Sequence, residues 1–373
     1  ALAVALLLAG EGARHAAAHL PAGDLAALHR ALSLDPDNAE LQRELARRAL
    51  ASLDLPLAMR SYRAALRLNR YQPEAWLEYS FVCEAQGELA AARSAVREAV
   101  ALAPASAHVL EAAGNFFVRR REWDSALPCF QQALLRDPGV AAAVFEVCWK
   151  WAPDRAQILS RALPRTVPAA EAYLRFLVNR AAWEEAARAW QWARQWGQAP
   201  GQPSALHYVN GLLAARRPAE ARRVWEEAFP PTDPGNLIYN AGFQQKTQNG
   251  GFDWLLSPAP GVELAYDTPT QGRRALAVRF SGRDNPDYWH LRQPVAVRPG
   301  TSYRLGAAVR GEAITSSSGP RLEVRDGYSE QLLAASEPVL GSIPWQRRVV
   351  EFRTGPATEL VKIGVRRPAA PPW

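Results

Sequence analysis

The chain has 373 residues, 48% of them hydrophobic and 22% charged, which suits two or three globular domains and excludes a wholly disordered or fibrous protein. Formal net charge is +7; from Asn236 onward 17 basic residues face 12 acidic ones, so most of the excess lies in the C-terminal third. Only Lys150, Lys246 and Lys362 are lysines. The rest of the positive charge is Arg, which favours bidentate contact with carboxylates, and it forms no dense run of the kind nucleic-acid binders show.

In chain order, Ala1 to Gly10 reads ALAVALLLAG. Ten apolar residues are too few for a bilayer span, which needs about 20. Residues 1–23 therefore form an N-terminal apolar segment with two open readings. It is the end of a signal peptide or membrane anchor, or it is the first helix of a helical array. The anchor reading places the chain in the bacterial periplasm or at the cell surface, ahead of a cytoplasmic setting. The three cysteines, Cys83, Cys129 and Cys148, form no CxxC pair and no disulfide framework; lying in apolar helical stretches, they read as small buried hydrophobes.

A period of 34 residues organises the next stretch. Pro104 and Pro138 are one period apart, and Pro36 stands two periods before Pro104. On that register Trp76 aligns with Leu110 and Ser80 with Gly114. Ala58, Ala92 and Ala126 align, as do Tyr62, Val96 and Phe130, and Ala65, Ala99 and Ala133. Small residues let two antiparallel helices approach closely, large ones fill the space between hairpins, and Pro stops the second helix. A lone hairpin cannot bury its apolar face, so hairpins stack. From Val140 to Leu163 the register shortens. It recovers in WEEAARAWQWA, with Ala186, Trp190 and Ala193, and again in RRPAEARRVWEEAF, with Ala221, Trp225 and Ala228.

This pattern resembles the tetratricopeptide (TPR) repeat family over residues 24–230, as about six hairpins counting a partial one before Pro36. The resemblance implies an α-solenoid whose first helices line a groove for partner proteins or peptide segments. Carried over position by position, the groove residues are Glu40, Arg43 and Arg47, then Glu74, Phe81 and Glu84, then His108, Glu111, Asn115 and Arg119. They are mixed in sign. Trp149, Trp151, Trp190, Trp192 and Trp196 are expected mostly between hairpins, with Trp192 and Trp196 as an alternative exposed stripe.

Near Pro230 the texture changes. FPPTDPGN reads as a turn cluster, and period-2 alternation succeeds it in RALAVRF, TSYRLGAAVRG and the segments around Leu322, Val350 and Ile363. Eight or nine short strands punctuated by Pro-Gly and Asp-Gly turns predict an antiparallel β-sandwich over residues 231–373. NAGF, GFDW, RALAVRF, QPVAVRPGTSYRLGAAVR and WQRRVVEF in that order resemble the galactose-binding-like jelly roll of carbohydrate-binding modules. The resemblance implies Trp254 and Trp345 as core aromatics. Asp287, Tyr288, Trp289, His290 and Arg292 are candidates for a glycan site, an aromatic face beside planar polar groups. Tyr288 and Trp289 are neighbours on a strand, so only one of the two can be core.

No constellation supports catalysis. His15, His19, His29, His108, His207 and His290 are scattered, without metal-ligand spacing, and there is no phosphate loop or nucleophile elbow. The sequence thus predicts a multidomain α plus β protein, a solenoid followed by a jelly-roll sandwich. It is expected to be neither an enzyme nor a cofactor or metal protein. The function expected is a protein-protein interaction scaffold, an accessory subunit of an extracytoplasmic or membrane-associated bacterial assembly. It would meet the membrane only through an N-terminal anchor and would bind no nucleic acid. The alternative is a carbohydrate-binding protein in surface polysaccharide handling.

Overall fold

A computed structural model describes residues 25–370, apart from 198, 231, 232, 234, 271 and 272. The apolar segment 1–23 lies outside the described residues. The chain divides into two compact units, residues 1–173 with 192–198, and residues 174–191 with 199–373.

The first unit is built of helical hairpins. Helix α1 (Leu25–Leu34) precedes α2 (Ala39–Ala51) and α3 (Leu55–Leu68). Then come α4 (Pro73–Ala85) with α5 (Leu89–Leu102), and α6 (Ala107–Arg119) with α7 (Trp123–Arg136). Helix α8 (Ala141–Trp151) opens a fourth hairpin whose second arm is only a five-residue π-turn, Ile158–Ala162. That is the shortening expected between Val140 and Leu163. The aligned small and large positions are all core: Ala58, Ala92, Ala126, Tyr62, Phe130, Ala65, Ala99 and Ala133 are fully buried and Val96 is nearly so. Size is matched within a hairpin, since a Cβ on Gly114 would come within 2.4 Å of the Phe130 ring. Cys83 and Cys148 are buried and Cys129 is half-buried; burial pushes the Cys148 thiol up to about 12.

The turns inside the hairpins repeat as well. Leu53, Gly87 and Arg121 adopt φ of 60°, 77° and 58°. Each is followed by a six-to-one backbone bond, from Asp54, Glu88 and Glu122 to the carbonyls of Ala49, Cys83 and Phe117. This is the Schellman stop, which satisfies carbonyls left open at a helix end.

Helices α9 (Val167–Asn179) and α10 (Trp183–Gln195) pass from one unit to the other. The second unit continues with α11 (Gln202–Ala214) and α12 (Pro218–Ala228), whose turn repeats the left-handed stop at Arg216. Nine strands come next among the described residues: β1 (Leu255–Leu256), β2 (Val262–Thr270), β3 (Arg273–Phe280), β4 (Tyr288–Ala296), β5 (Ser302–Ile314), β6 (Arg321–Asp326), β7 (Leu332–Ala335), β8 (Gly341–Arg353) and β9 (Leu360–Arg367). They pair antiparallel as one five-stranded sheet, β1-β4-β9-β6-β7, and two two-stranded sheets, β2-β3 and β5-β8. Leu305 of β5 and Val350 of β8 pack on Val295, Val324, Val361 and Ile363 of the large sheet, a core between two layers. Trp254 is partly buried against it. Trp345, expected in the core, is instead 44% exposed, because Val350 and Phe352 occupy the inward positions of β8 and Trp345 falls on the opposite parity.

Helices and sheets of this unit are joined by the loop ahead of β1. Trp225 of α12 is buried, stacked on Phe229 at 4.1 Å and met edge-on by Tyr239 and Phe252. Gly251, at φ 60°, brings its backbone so close that a Cβ would lie 2.3 Å from the indole. Its N–H donates to Asn210 Oδ1 of α11 at 2.8 Å. The Tyr328 hydroxyl donates to the Leu213 carbonyl at 3.2 Å, near the open end of α11.

Candidate functional site

In the first unit the first helices of successive hairpins touch one another, α2 with α4, α4 with α6 and α6 with α8. Second helices pack on their own partners and on the next first helix, α3 on α4 and α5 on α6. The first helices therefore form a continuous layer, and this layer carries the residues expected to line a groove.

Several of its charged side chains are bound to each other across repeats. Arg43 donates to both oxygens of Glu78, each at 2.9 Å, and Arg47 donates to Glu78 Oε1 at 3.0 and 2.7 Å. Burial pushes the Glu78 carboxyl up, but the hydrogen bonds from Arg43 and Arg47 outweigh it and hold it below the usual carboxylate range. Glu78 in turn raises the Arg43 guanidinium. One repeat on, Arg119 donates to Glu84 at 2.8 to 3.3 Å and lies over the Phe81 ring, 5.2 Å from its centroid. Gln72 donates to Glu40 at 2.7 Å. Phe81 stays 43% exposed. His108 is exposed, and Glu111 and Asn115 are half-buried. Of the residues named from the sequence, the structure thus brings together Arg43 with Arg47, and Phe81 with Glu84 and Arg119. Glu78, the carboxylate that ties the first two together, was missed; its place at i+35 from Arg43 was the available signal.

The five tryptophans expected mostly between hairpins differ in burial. Trp190 is buried and donates to Glu227 at 2.6 Å. Trp151 is 60% and Trp196 46% exposed, and Trp149 and Trp192 are half-buried. Cations face several of them: Arg155 lies 3.9 Å from the Trp149 centroid and Arg165 lies 3.5 Å from that of Trp196. The short fourth hairpin supplies no full second helix to cover α8.

The candidate glycan residues differ in their surroundings, and only Asp287 is exposed. Tyr288 is fully buried, edge-on to Phe280 at 5.7 Å, and burial raises its hydroxyl to about 12. It is the core member of the Tyr288–Trp289 pair and has no surface to offer. Asp287 is engaged by Arg366. Trp289 lies on the other face under Arg325, which is 5.6 Å from its centroid. Arg325 and Arg321 both grip Glu323, a fully buried carboxylate, at 2.8 and 2.7 Å. His290 packs on Tyr288 at 5.5 Å, and Arg292 is half-buried opposite Gly364.

Among the described residues no group of His, Cys, Asp and Glu could hold a metal ion, and no helix is long and apolar enough to cross a membrane. No protein-family model matches the chain, and no curated protein does. Solved structures similar to it include MamA, at 17% identity over 47% of this chain and 86% of that one, with TM-score 0.31. YrrB, described as a TPR protein with an unusual peptide-binding site, is similar at 15% identity over 54% and 90%, with TM-score 0.29. PilF of Pseudomonas aeruginosa is similar at 17% identity over 63% and 97%, with TM-score 0.34.

Proposed function

We propose that this chain is a non-catalytic interaction scaffold that holds a peptide segment of a partner protein on the layer formed by α2, α4, α6 and α8. The observation that carries the reading is that layer itself. Its arginines are already fixed, Arg43 and Arg47 to Glu78 and Arg119 to Glu84, while Phe81 is left half in solvent. A surface ordered before binding loses less side-chain entropy on association, and an exposed aromatic beside an arginine is the kind of anchor that carries binding energy.

The test places a photo-crosslinking residue at Phe81 or at Arg97, an exposed position on α5. Partner crosslinked from position 81 and not from 97 supports the reading; equal yields sink it. That the scaffold serves an extracytoplasmic, membrane-associated bacterial assembly is a further part of the proposal, supported by the apolar run Ala1 to Gly10. Fractionating cells that express the full-length protein tests it.

Glycan binding by the sheet region has one observation in its favour, the exposed Trp345 with Arg310 5.7 Å from its centroid. Calorimetric titration of the full chain with soluble polysaccharides checks it, and a Trp345→Ala variant that binds as well as the parent discards it.

A further inference from the structure

We infer that the segment held on the first-helix layer is cationic, a peptide bearing Lys or Arg between apolar residues. This rests on the scaffold reading and gives it a partner chemistry. Charge is segregated in the first unit. The first helices α2, α4, α6 and α8 carry seven carboxylates against five cations. The second helices α3, α5 and α7 carry six cations against two carboxylates. A chain of net charge +7 thus sets an acidic layer of first helices against a basic set of second helices.

Pairing sharpens the difference. Every Arg of the first helices is spent on a carboxylate: Arg43 and Arg47 on Glu78, Arg48 on Glu44, and Arg119 on Glu84. Glu74 is exposed and Glu111 half-exposed, and neither has a direct ion pair among the described residues. Glu40 is 62% exposed, with its nearest cation at 4.0 Å. Glu40, Glu74 and Glu111 stand on three successive first helices, with Phe81 on the middle one. Carboxylates left without a paired cation raise the local concentration of positive charge. The pattern therefore fits an extended basic segment that sets an apolar side chain on Phe81.

Three labelled peptides of the same length test this with the full-length protein: one alternating Lys and Leu, one with Glu for Lys, and one with Gln for Lys. Fluorescence anisotropy should show the Lys peptide binding at least about tenfold more tightly than the Glu peptide, with affinity falling as salt rises. Glu74→Lys with Glu111→Lys should weaken it about tenfold or more. Glu74→Gln with Glu111→Gln should fall between, and Arg67→Glu with Arg97→Glu on the second helices should leave it unchanged. Circular dichroism would confirm that each variant is folded. Indifference to peptide charge, or a larger effect from the second-helix pair, overturns the inference. If partner still crosslinks at position 81 in that case, the scaffold reading survives without it. If no crosslink forms either, both fall.

Discussion

The two units solve the same burial problem with different materials. In the first, one set of contacts is written three times at a spacing of 34 residues, and the charged pairs join a residue to its neighbour repeat: Arg43 to Glu78 at i+35, Arg119 to Glu84 at i−35. In the second, α11 and α12 meet a sheet region through contacts that occur once. Trp225 is closed by Phe229, Tyr239 and Phe252, and Asn210 holds Gly251. Repetition spreads stability over near-equivalent interfaces. A single junction concentrates it, so helices and sheets of the second unit should lose structure together.

The largest expected effect comes from that difference. Trp225→Ala removes a buried indole from a closed aromatic cluster and should cost about 3 to 5 kcal/mol. Hydrogen exchange should then rise both in α11 and α12 and in the five-stranded sheet, while α2 to α7 stay protected. Phe130→Ala, of similar local cost, should expose α6 and α7 and leave the sheets protected. Rapid exchange confined to α12 in the Trp225 variant would show that the junction does not couple helix and sheet. Gly251→Ala gives a second approach to the same site, because it forces a Cβ against the indole at an unfavourable φ.

A smaller effect is expected where repeats are held by charge. Glu78→Ala leaves Arg43, whose side chain is only 11% exposed, without its bidentate partner. A loss of about 2 kcal/mol is expected, below the cost of breaking a fully buried pair because Arg47 and Glu78 are partly solvated. The double variant Arg43→Met with Glu78→Leu should recover most of it, since apolar groups of similar volume replace such pairs at little cost. Chemical denaturation measures both, and a double variant no better than Glu78→Ala would contradict this account.

These two sites also show why one unit is easier to read than the other. Ala58, Tyr62, Ala65 and their counterparts are legible because the same physical demand recurs at one spacing. Glu78 is missed because a pair across repeats shows only as two distant charges. In the second unit the alternation of strands is visible, but not which parity faces inward. The resemblance places Trp345 in the core, although Val350 and Phe352 take that side. Trp225 is recognisable as a repeat position, yet nothing local announces that Tyr239 and Phe252 will cover it. Tyr288 and Trp289 can be told apart only as one in and one out.

Acid should affect the sheet region through Asp326, the last residue of β6 ahead of the turn to β7. Burial pushes this carboxyl up. The N–H groups of Ser329 and Tyr328 at 2.8 and 3.0 Å and the Thr358 hydroxyl at 2.7 Å outweigh it, and its value falls to about 2. A depressed folded value means that the stabilisation is fully present above about pH 4, the unfolded value, and is lost as pH falls toward 2. Asp326→Asn should cost about 1 kcal/mol at neutral pH and flatten the dependence between about pH 4 and about pH 2. An acid limb as steep as the parent's would assign it to other carboxylates, among them Glu78, whose depression has the same sign.

The smallest effect has the opposite direction. The left-handed stop is made by Gly87 in one hairpin but by Leu53, Arg121 and Arg216 in others, at φ near 60°. A side chain there crowds its own carbonyl, a penalty of about 1 to 2 kcal/mol that glycine avoids. Glycine also has more freedom to lose on folding, which offsets part of that gain. Leu53 is 81% exposed, so its side chain contributes little packing to balance. Leu53→Gly should therefore stabilise the protein by about 0.5 to 1 kcal/mol, while Gly87→Leu should destabilise it by a similar amount. If the two changes are equal and opposite, the stop is a repeated device of the same energy in each hairpin. If Leu53→Gly destabilises instead, the first hairpin depends on Leu53 contacts that its exposure does not reveal, and the equivalence of the repeats fails at that turn.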